Sequence, residues 1–283
     1  MIPKVIHYCW FGRNSLPESA RKCIKSWKKY LPDYEIKEWN EDNFDVNIIP
    51  YTAEAYKLKK YAFVSDYARF WILYKYGGLY FDTDVEVIKP MDDIIARGPF
   101  MGCENSAQPG ATPKNLFVAP GLGLGVNPGL GLGVNPGLGL YKEILDLYND
   151  MHYLLPNGTT STETVVTITT DLLCKKGLQN TPEVQCVDGV WIYPKEYFCP
   201  KNYDTGALNL TEKTYSIHQF TGSWLSEEAR LSNEFSYTHF SFLPQKVRGS
   251  ISKMYAAYKF RGIKGFFQQF RRSFRTLIFG EKF

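Results

Sequence analysis

Residues 59–87 read KKYAFVSDYARFWILYKYGGLYFDTDVEV. Segment 59–76 carries Ala62, Phe63, Val64, Ala68, Phe70, Trp71, Ile72 and Leu73 on nearly every face, which predicts a helix buried on most sides. Gly77-Gly78 ends it, 79–81 predicts a short buried strand, and 85–88 predicts another before Pro90. Asp82 and Asp84 therefore stand where a buried strand emerges. Two residues apart in extended chain, their carboxylates point the same way. Such a pair is a hard oxygen site suited to Mg²⁺ or Mn²⁺, ions that bind one or two carboxylates plus substrate phosphates. A solvated turn holding two acids is the plainer reading of the same residues. Asp66 and Arg69, three apart on the apolar helix, share a face, and burying either alone would be costly. They predict either a structural ion pair or a polar pair that meets sugar or ribose hydroxyls and phosphate.

Working outward, residues 4–10 predict a buried strand ending in the turn Phe11-Gly12. Pro17-Glu18 opens a helix to about Tyr30, and residues 34–39 alternate like a strand. Strand, helix, strand at this spacing predicts a βαβ start and a mostly parallel sheet. Trp10 ends the first strand, where ligands of open α/β sheets bind; its indole is placed to stack on a base or to fill the core. Residues 121–128 (GLGLGVNP) repeat at 129–136, and 137–140 begin a third copy. Glycine this dense predicts an expanded loop near the site. A helix is expected at about 141–150. Segment 156–244, rich in Thr, Asn and Tyr, predicts short strands and loops. Within it His218, Thr221, Ser223 and Trp224 (HQFTGSW, 218–224) offer an imidazole, hydroxyls and an indole, with His218 a metal ligand, a phosphate partner or a structural histidine.

The chain has 283 residues, 44% hydrophobic and 22% charged, with a net charge of +4 that hides an asymmetry. Residues 245–283 hold ten Lys or Arg against one acid, Glu281, while the rest carries a net −5. Two apolar stripes run along this tail at helical spacing. The second, from Ile263 through Phe266, Phe267, Phe270, Phe274, Leu277 and Ile278, is flanked by Lys264, Arg271, Arg272 and Arg275. That pattern predicts a helix lying on an anionic membrane surface, or one packed on the domain with a solvated basic flank. The division expected is 1–244 as one domain and 245–283 as a basic amphipathic helical tail. No apolar run is long enough to cross a bilayer, no secretory signal pattern opens the chain, and six scattered cysteines form no C-x-x-C pair, so a cytoplasmic protein peripheral on the inner face of the plasma membrane is expected. There is no G-x-x-x-x-G-K-[ST] loop and no G-x-S-x-G elbow, and no nucleic-acid module accompanies the basic tail.

Several stretches together resemble glycosyltransferase family 32, the group with a sugar-binding region containing a DXD motif, in its bacterial capsular polysaccharide branch. They are IPKVIHYCWFG (2–12), Ser26-Trp27, YEIKEWNEDNFD (34–45), residues 59–87, IYPKEYFCP (192–200) and IHQFTGSW (217–224). The resemblance implies an α/β fold of GT-A type: a single Rossmann-like domain with a mostly parallel central sheet. It further implies a nucleotide-sugar donor, a glycan or lipid-linked saccharide acceptor, Mn²⁺ or Mg²⁺, and retention of configuration. It assigns Trp10 to the base and Asp66 and Arg69 to ribose and donor sugar. Asp82 and Asp84 fall to the metal, with Asp84 the direct ligand and His218 a further one. Ser223 and Trp224 fall to the diphosphate and leaving oxygen. Two other readings are a haloacid-dehalogenase-type phosphatase, since LYFDTDVEV (79–87) also fits strand then D-x-D-x-[TV], and a membrane-surface carbohydrate-binding protein without catalysis.

Overall fold

A computed structural model describes residues 2–126, 138–203, 205–222, 227–239 and 243–279. Its contacts divide the chain into two units, Met1–Lys201 with Asn209–Gln219, and Asn202–Leu208 with Phe220–Phe283.

The first unit runs β1 (Val5–Cys9), α1 (Glu18–Tyr30), β2 (Glu35–Trp39), α2 (Pro50–Lys57), α3 (Tyr61–Tyr76), β3 (Gly78–Tyr80), β4 (Val85–Val87), α4 (Asp92–Arg97), β5 (Phe100–Cys103), β6 (Val118–Ala119) and β7 (Leu124–Val126), then α5 (Leu138–Asn149), α6 (Val165–Lys175), β8 (Gln185–Val187), β9 (Val190–Tyr193), α7 (Lys195–Phe198) and β10 (Ser216–His218). Eight strands form the main sheet in the order β2-β1-β3-β7-β5-β9-β8, with β6 on β5. Five of them, β2, β1, β3, β5 and β9, point one way; β6, β7 and β8 run against them. The expected α/β fold with a mostly parallel central sheet is what the chain adopts. A separate two-stranded sheet pairs β10 with β4, antiparallel.

The buried helix predicted over 59–76 is α3. Val64, Ala68, Phe70, Ile72 and Leu73 are all fully buried, the four larger side chains each contributing about 1.5–3 kcal/mol relative to exposure. Beneath its far end His7 is also buried. Its Nε2 donates to the Gly77 carbonyl at 3.0 Å, and its Nδ1 accepts from the Trp39 indole at 3.0 Å, which defines a neutral tautomer. Burial pushes its pKa down from 6.5 to about 4. The stability that neutral His7 supports is therefore complete above about pH 6.5 and lost as the pH falls through 4, about 3 kcal/mol in all. Urea unfolding of the wild type between pH 7 and 4 should show this extra loss, and His7→Gln should lack it.

Two sequence expectations change in the folded chain. The first copy of the Gly-Leu repeat is no loop: residues 124–126 are β7, wedged between β3 and β5. Its glycine has a steric reason, because a Cβ on Gly125 would overlap the Phe100 ring. The rest of the repeat, 127–137, lies outside the described residues. In the Thr-rich segment, the β-branched run after Thr164 is a helix, α6. Thr164 and Thr167 close a reciprocal capping box, and Val165, Ile168, Leu172 and Leu173 bury one face. Capping and burial override the strand preference of Val and Thr there.

The second unit contains α8 (Glu227–His239) and α9 (Gln245–Phe279). Phe235 of α8 stacks on Tyr255 of α9, with ring centroids 3.8 Å apart. Helix α9 is broken at Gly262, whose φ of 64° and ψ of −161° are non-helical. No described helix is long and apolar enough to cross a membrane.

Candidate active site

Strands β1 and β3 are parallel neighbours, with His7 opposite Tyr80, so both chains emerge at the same sheet edge. Trp10 follows β1 there, half-buried, its backbone N–H bonded to the Trp39 carbonyl and its indole N–H to the Asn14 carbonyl at 2.7 Å. Asp82 follows β3. Its backbone N–H bonds to Gly121, and its own carbonyl accepts from Val85, closing the turn that carries Asp84. Helix α1 braces the far side of this turn. The Trp27 indole donates to the Val85 carbonyl at 2.7 Å, and the Ser26 hydroxyl accepts from the Val87 N–H at 2.9 Å. The Ser26-Trp27 pair is thus scaffold for the acidic turn.

Arg69 is the hub. One of its Nη atoms lies 3.0 Å from Asp66 Oδ1 and 3.1 Å from Asp82 Oδ1, and its Nε donates to the Ser65 carbonyl. The guanidinium side chain is only 5% exposed, Asp66 13%, while Asp82 at 29% opens towards solvent. Burial alone would lower the Arg69 pKa, but Asp82, Tyr80 and Asp66 outweigh it and hold the guanidinium charged. Burial pushes Asp66 up to about 6, with Arg69 opposing and Asp82 adding to the rise. Asp82 is raised too, by burial first, against the pull of Arg69. Asp66 and Arg69 form the ion pair expected of them, and that pair clamps the first aspartate of the motif.

The second half of the site comes from β10. Its pairing sets His218 opposite Val85, and His218 Nε2 lies 3.1 Å from Asp84 Oδ1. Burial opposes protonation of His218, but the Asp84 carboxylate overcomes it and raises the pKa well above the ordinary value. Gln219 continues the brace, its N–H on the Asp84 carbonyl and its amide on Glu86. Ser223 and Trp224 lie outside the described residues. So Asp66, Arg69, Asp82, Asp84 and His218 come together, with Trp10 on the same strand edge.

Three carboxyl side chains, Asp66, Asp82 and Asp84, thus meet around Arg69 and His218. Two carboxylates on one short turn fit the habit of Mg²⁺ and Mn²⁺, which complete their shells with water and phosphate oxygens. Among the described residues no three His, Cys, Asp or Glu side chains are grouped so as to hold a metal ion. An open two-carboxylate site does not require a third protein ligand.

Three neighbours were not legible as site residues. The Tyr80 hydroxyl donates to Asp82 Oδ1 at 3.1 Å; its position two before Asp82 on one strand face was the available signal. Glu104, just past β5, is raised by burial while His218 and Lys195 pull it back, and nothing in its local sequence marks it. Gly121 packs directly on the Asp82 carboxylate, so that a Cβ would overlap it. Gly121→Ala should therefore displace Asp82 from Arg69, lowering kcat/KM about 100-fold and Tm with it. An unchanged rate would show that the Asp82 carboxylate position is not critical.

Parts of the chain are similar to known proteins. The chain is 30% identical over 111 residues to inositol phosphoceramide mannosyltransferase 1 of Schizosaccharomyces pombe, covering 35% of this chain and 33% of that protein. It is 36% identical over 106 residues to an uncharacterized glycosyltransferase of Acanthamoeba polyphaga mimivirus, covering 35% and 42%. The chain thus spans about a third of the length of the first of these relatives. Among solved structures, a glycosyltransferase involved in glycosylation of the major capsid of PBCV-1 aligns over 82% of this chain and 98% of its own, at 13% identity and a TM-score of 0.44. Residues 17–101, which hold α1, α3 and the Asp82-Thr83-Asp84 turn, match the family described as glycosyltransferase sugar-binding region containing DXD motif.

Proposed function

We propose that the protein is a retaining glycosyltransferase of GT-A type. It would move a hexose from a UDP-sugar or GDP-mannose to a glycan or lipid-linked oligosaccharide in surface polysaccharide synthesis, at the inner face of the plasma membrane. The observation that carries this reading is the continuous network from Asp66 through Arg69 to Asp82, with Asp84 and His218 beside it, at the strand edge that also carries Trp10. The family of residues 17–101 supports the same chemistry. The names of the yeast relatives, carried over, favour mannose as the sugar and a phosphate-bearing lipid among the acceptors.

In this mechanism Trp10 stacks on the base. Asp66 accepts from ribose or sugar hydroxyls, its ionisation supported by Arg69. Arg69 holds Asp82 in place and lends positive charge to the side where the sugar–phosphate bond breaks. Asp82 and Asp84 would hold Mg²⁺ or Mn²⁺, with His218 beside Asp84 as a further ligand candidate, and the ion would supply counter-charge to the departing diphosphate. Ser223 and Trp224 are assigned to the diphosphate and the leaving oxygen. The acceptor hydroxyl attacks from the face the diphosphate leaves, and its proton passes to the leaving phosphate oxygen. The catalytic part is assigned to residues 1–244, and the basic segment 245–283 to membrane contact.

A panel of UDP- and GDP-sugars, incubated with Mn²⁺, Mg²⁺ or EDTA, tests the reading. Release of a nucleoside diphosphate that needs the metal is expected with at least one donor. No hydrolysis and no metal-dependent binding across the panel would sink it, and a trapped phospho-aspartate at Asp82 would return the phosphatase.

A further inference from the structure

Helix α9 turns back on itself at Gly262. Gly265 lies so close to the Ala257 carbonyl that a Cβ would come within 2.6 Å of it. Ser250 and Lys253 from the first half line the same cavity as Gln269, Arg271, Arg272, Ser273 and Arg275 from the second. In an unbroken helix Lys253 and Arg275 would stand about 33 Å apart. The turn therefore brings Lys253, Arg271 and Arg275, beside Arg272, two serines and one amide, around a cavity of about 640 Å³, with no carboxylate among the described lining residues. Ordinary ligand cavities span about 300–1,000 Å³. Lys253, Arg271 and Arg275 are like charges across such a space, and the ligand that suits them is an anion with several acceptor oxygens. Arginine forks suit phosphate, and serine and glutamine add neutral donors.

The same half of α9 carries an apolar stripe beside this basic rim. Ile263, Phe267, Phe270 and Phe274 repeat at i, i+4, i+7 and i+11 on one face and are 68%, 55%, 45% and 49% exposed. Soluble surfaces seldom present such a run. A phosphate-binding cavity next to an exposed row of phenylalanines has the two-part chemistry of one class of ligand: a charged head joined to hydrocarbon.

We propose that the cavity at the α9 turn is a headgroup site for an anionic phospholipid, whose acyl chains lie along the stripe Ile263, Phe267, Phe270 and Phe274. This deepens the membrane-contact reading of the tail and rests on it, since a lipid site is useful only on a helix that meets a bilayer. It differs from general attraction to a charged surface. Diffuse attraction counts charges wherever they sit, whereas a headgroup site depends on which ones line the cavity.

The experiment compares two charge-matched variants of the full chain in co-sedimentation with vesicles of phosphatidylcholine alone or containing phosphatidylglycerol. Arg271→Gln/Arg275→Gln empties the cavity rim of two cations. Lys259→Gln/Lys264→Gln removes the same charge from exposed residues of α9 that do not line it. Circular dichroism confirms equal helix content. Wild type is expected to bind only the anionic vesicles, and the cavity pair to lose at least about tenfold more affinity than the control pair, beyond the roughly 1 kcal/mol that each surface charge contributes. Equal losses in the two pairs overturn the headgroup site and leave the membrane reading standing. No binding of wild type to anionic vesicles overturns both. Inorganic diphosphate is the soluble probe. If it binds with the same dependence on Arg271 and Arg275 while Phe267→Ser/Phe270→Ser binds vesicles like wild type, the ligand is a free phosphate and the lipid assignment falls.

Discussion

Asp84→Ala is expected to lower sugar transfer by about 10³-fold at saturating donor and metal, with the fold intact. The side chain is 14% exposed and its partner is His218, so its removal opens no apolar core. What disappears is the carboxylate proposed as the direct ligand of the divalent ion. Arg69 binds Asp66 and Asp82, whereas Asp84 lies against His218. Asp82→Asn should act differently. It keeps an acceptor for Arg69 and Tyr80 but loses charge, so the apparent metal affinity should weaken more than the maximal rate falls. Transfer assays across a Mn²⁺ titration separate the two. Wild-type transfer by Asp84→Ala would remove the metal assignment and the mechanism built on it.

Arg69→Met is expected to damage both stability and catalysis. The guanidinium is buried between two carboxylates, and without it Asp66 and Asp82 face each other uncompensated. Breaking a buried pair in this way costs about 3–5 kcal/mol, and methionine also loses the cation–π contact of the guanidinium with the Tyr80 ring while keeping an apolar stem of similar length. Adding Asp66→Asn should recover a good part of the stability, because one of the stranded charges is gone. It should recover none of the transfer activity, because the positive charge at the reacting bond is still missing. Urea unfolding of the single and double variants, alongside kcat, measures the two effects. If the double variant also regains activity, Arg69 is structural only.

The local features that could be read along the chain are those decided by neighbours within a few residues. The apolar surround of 59–76 defined α3 because a helix that is hydrophobic on all faces has nowhere to go but inside. The i,i+2 spacing of Asp82 and Asp84 and the i,i+3 spacing of Asp66 and Arg69 defined two polar pairs, because strand and helix periods are local geometry. The strand–helix–strand opening around Trp10 likewise announced the parallel core of the sheet.

Which pair meets which was settled only by the folded chain. Nothing local joins Asp66 to Asp82; the hydrogen bonds that carry the α3–β3 turn back beside β1 bring both within reach of one guanidinium. His218 arrives from 134 residues beyond Asp84 through the pairing of β10 with β4. Gly121 and Gly125 looked like filler in a repeat, whereas packing on Asp82 and Phe100 leaves no room for a side chain at either. A repeat shows composition, and only the sheet shows what lies above each glycine. In the tail the alternation of Phe and Arg was plain to read, but the cavity was not. It exists because Gly262 breaks α9 and folds its basic half back on Ser250 and Lys253, contacts that helical periodicity alone cannot encode.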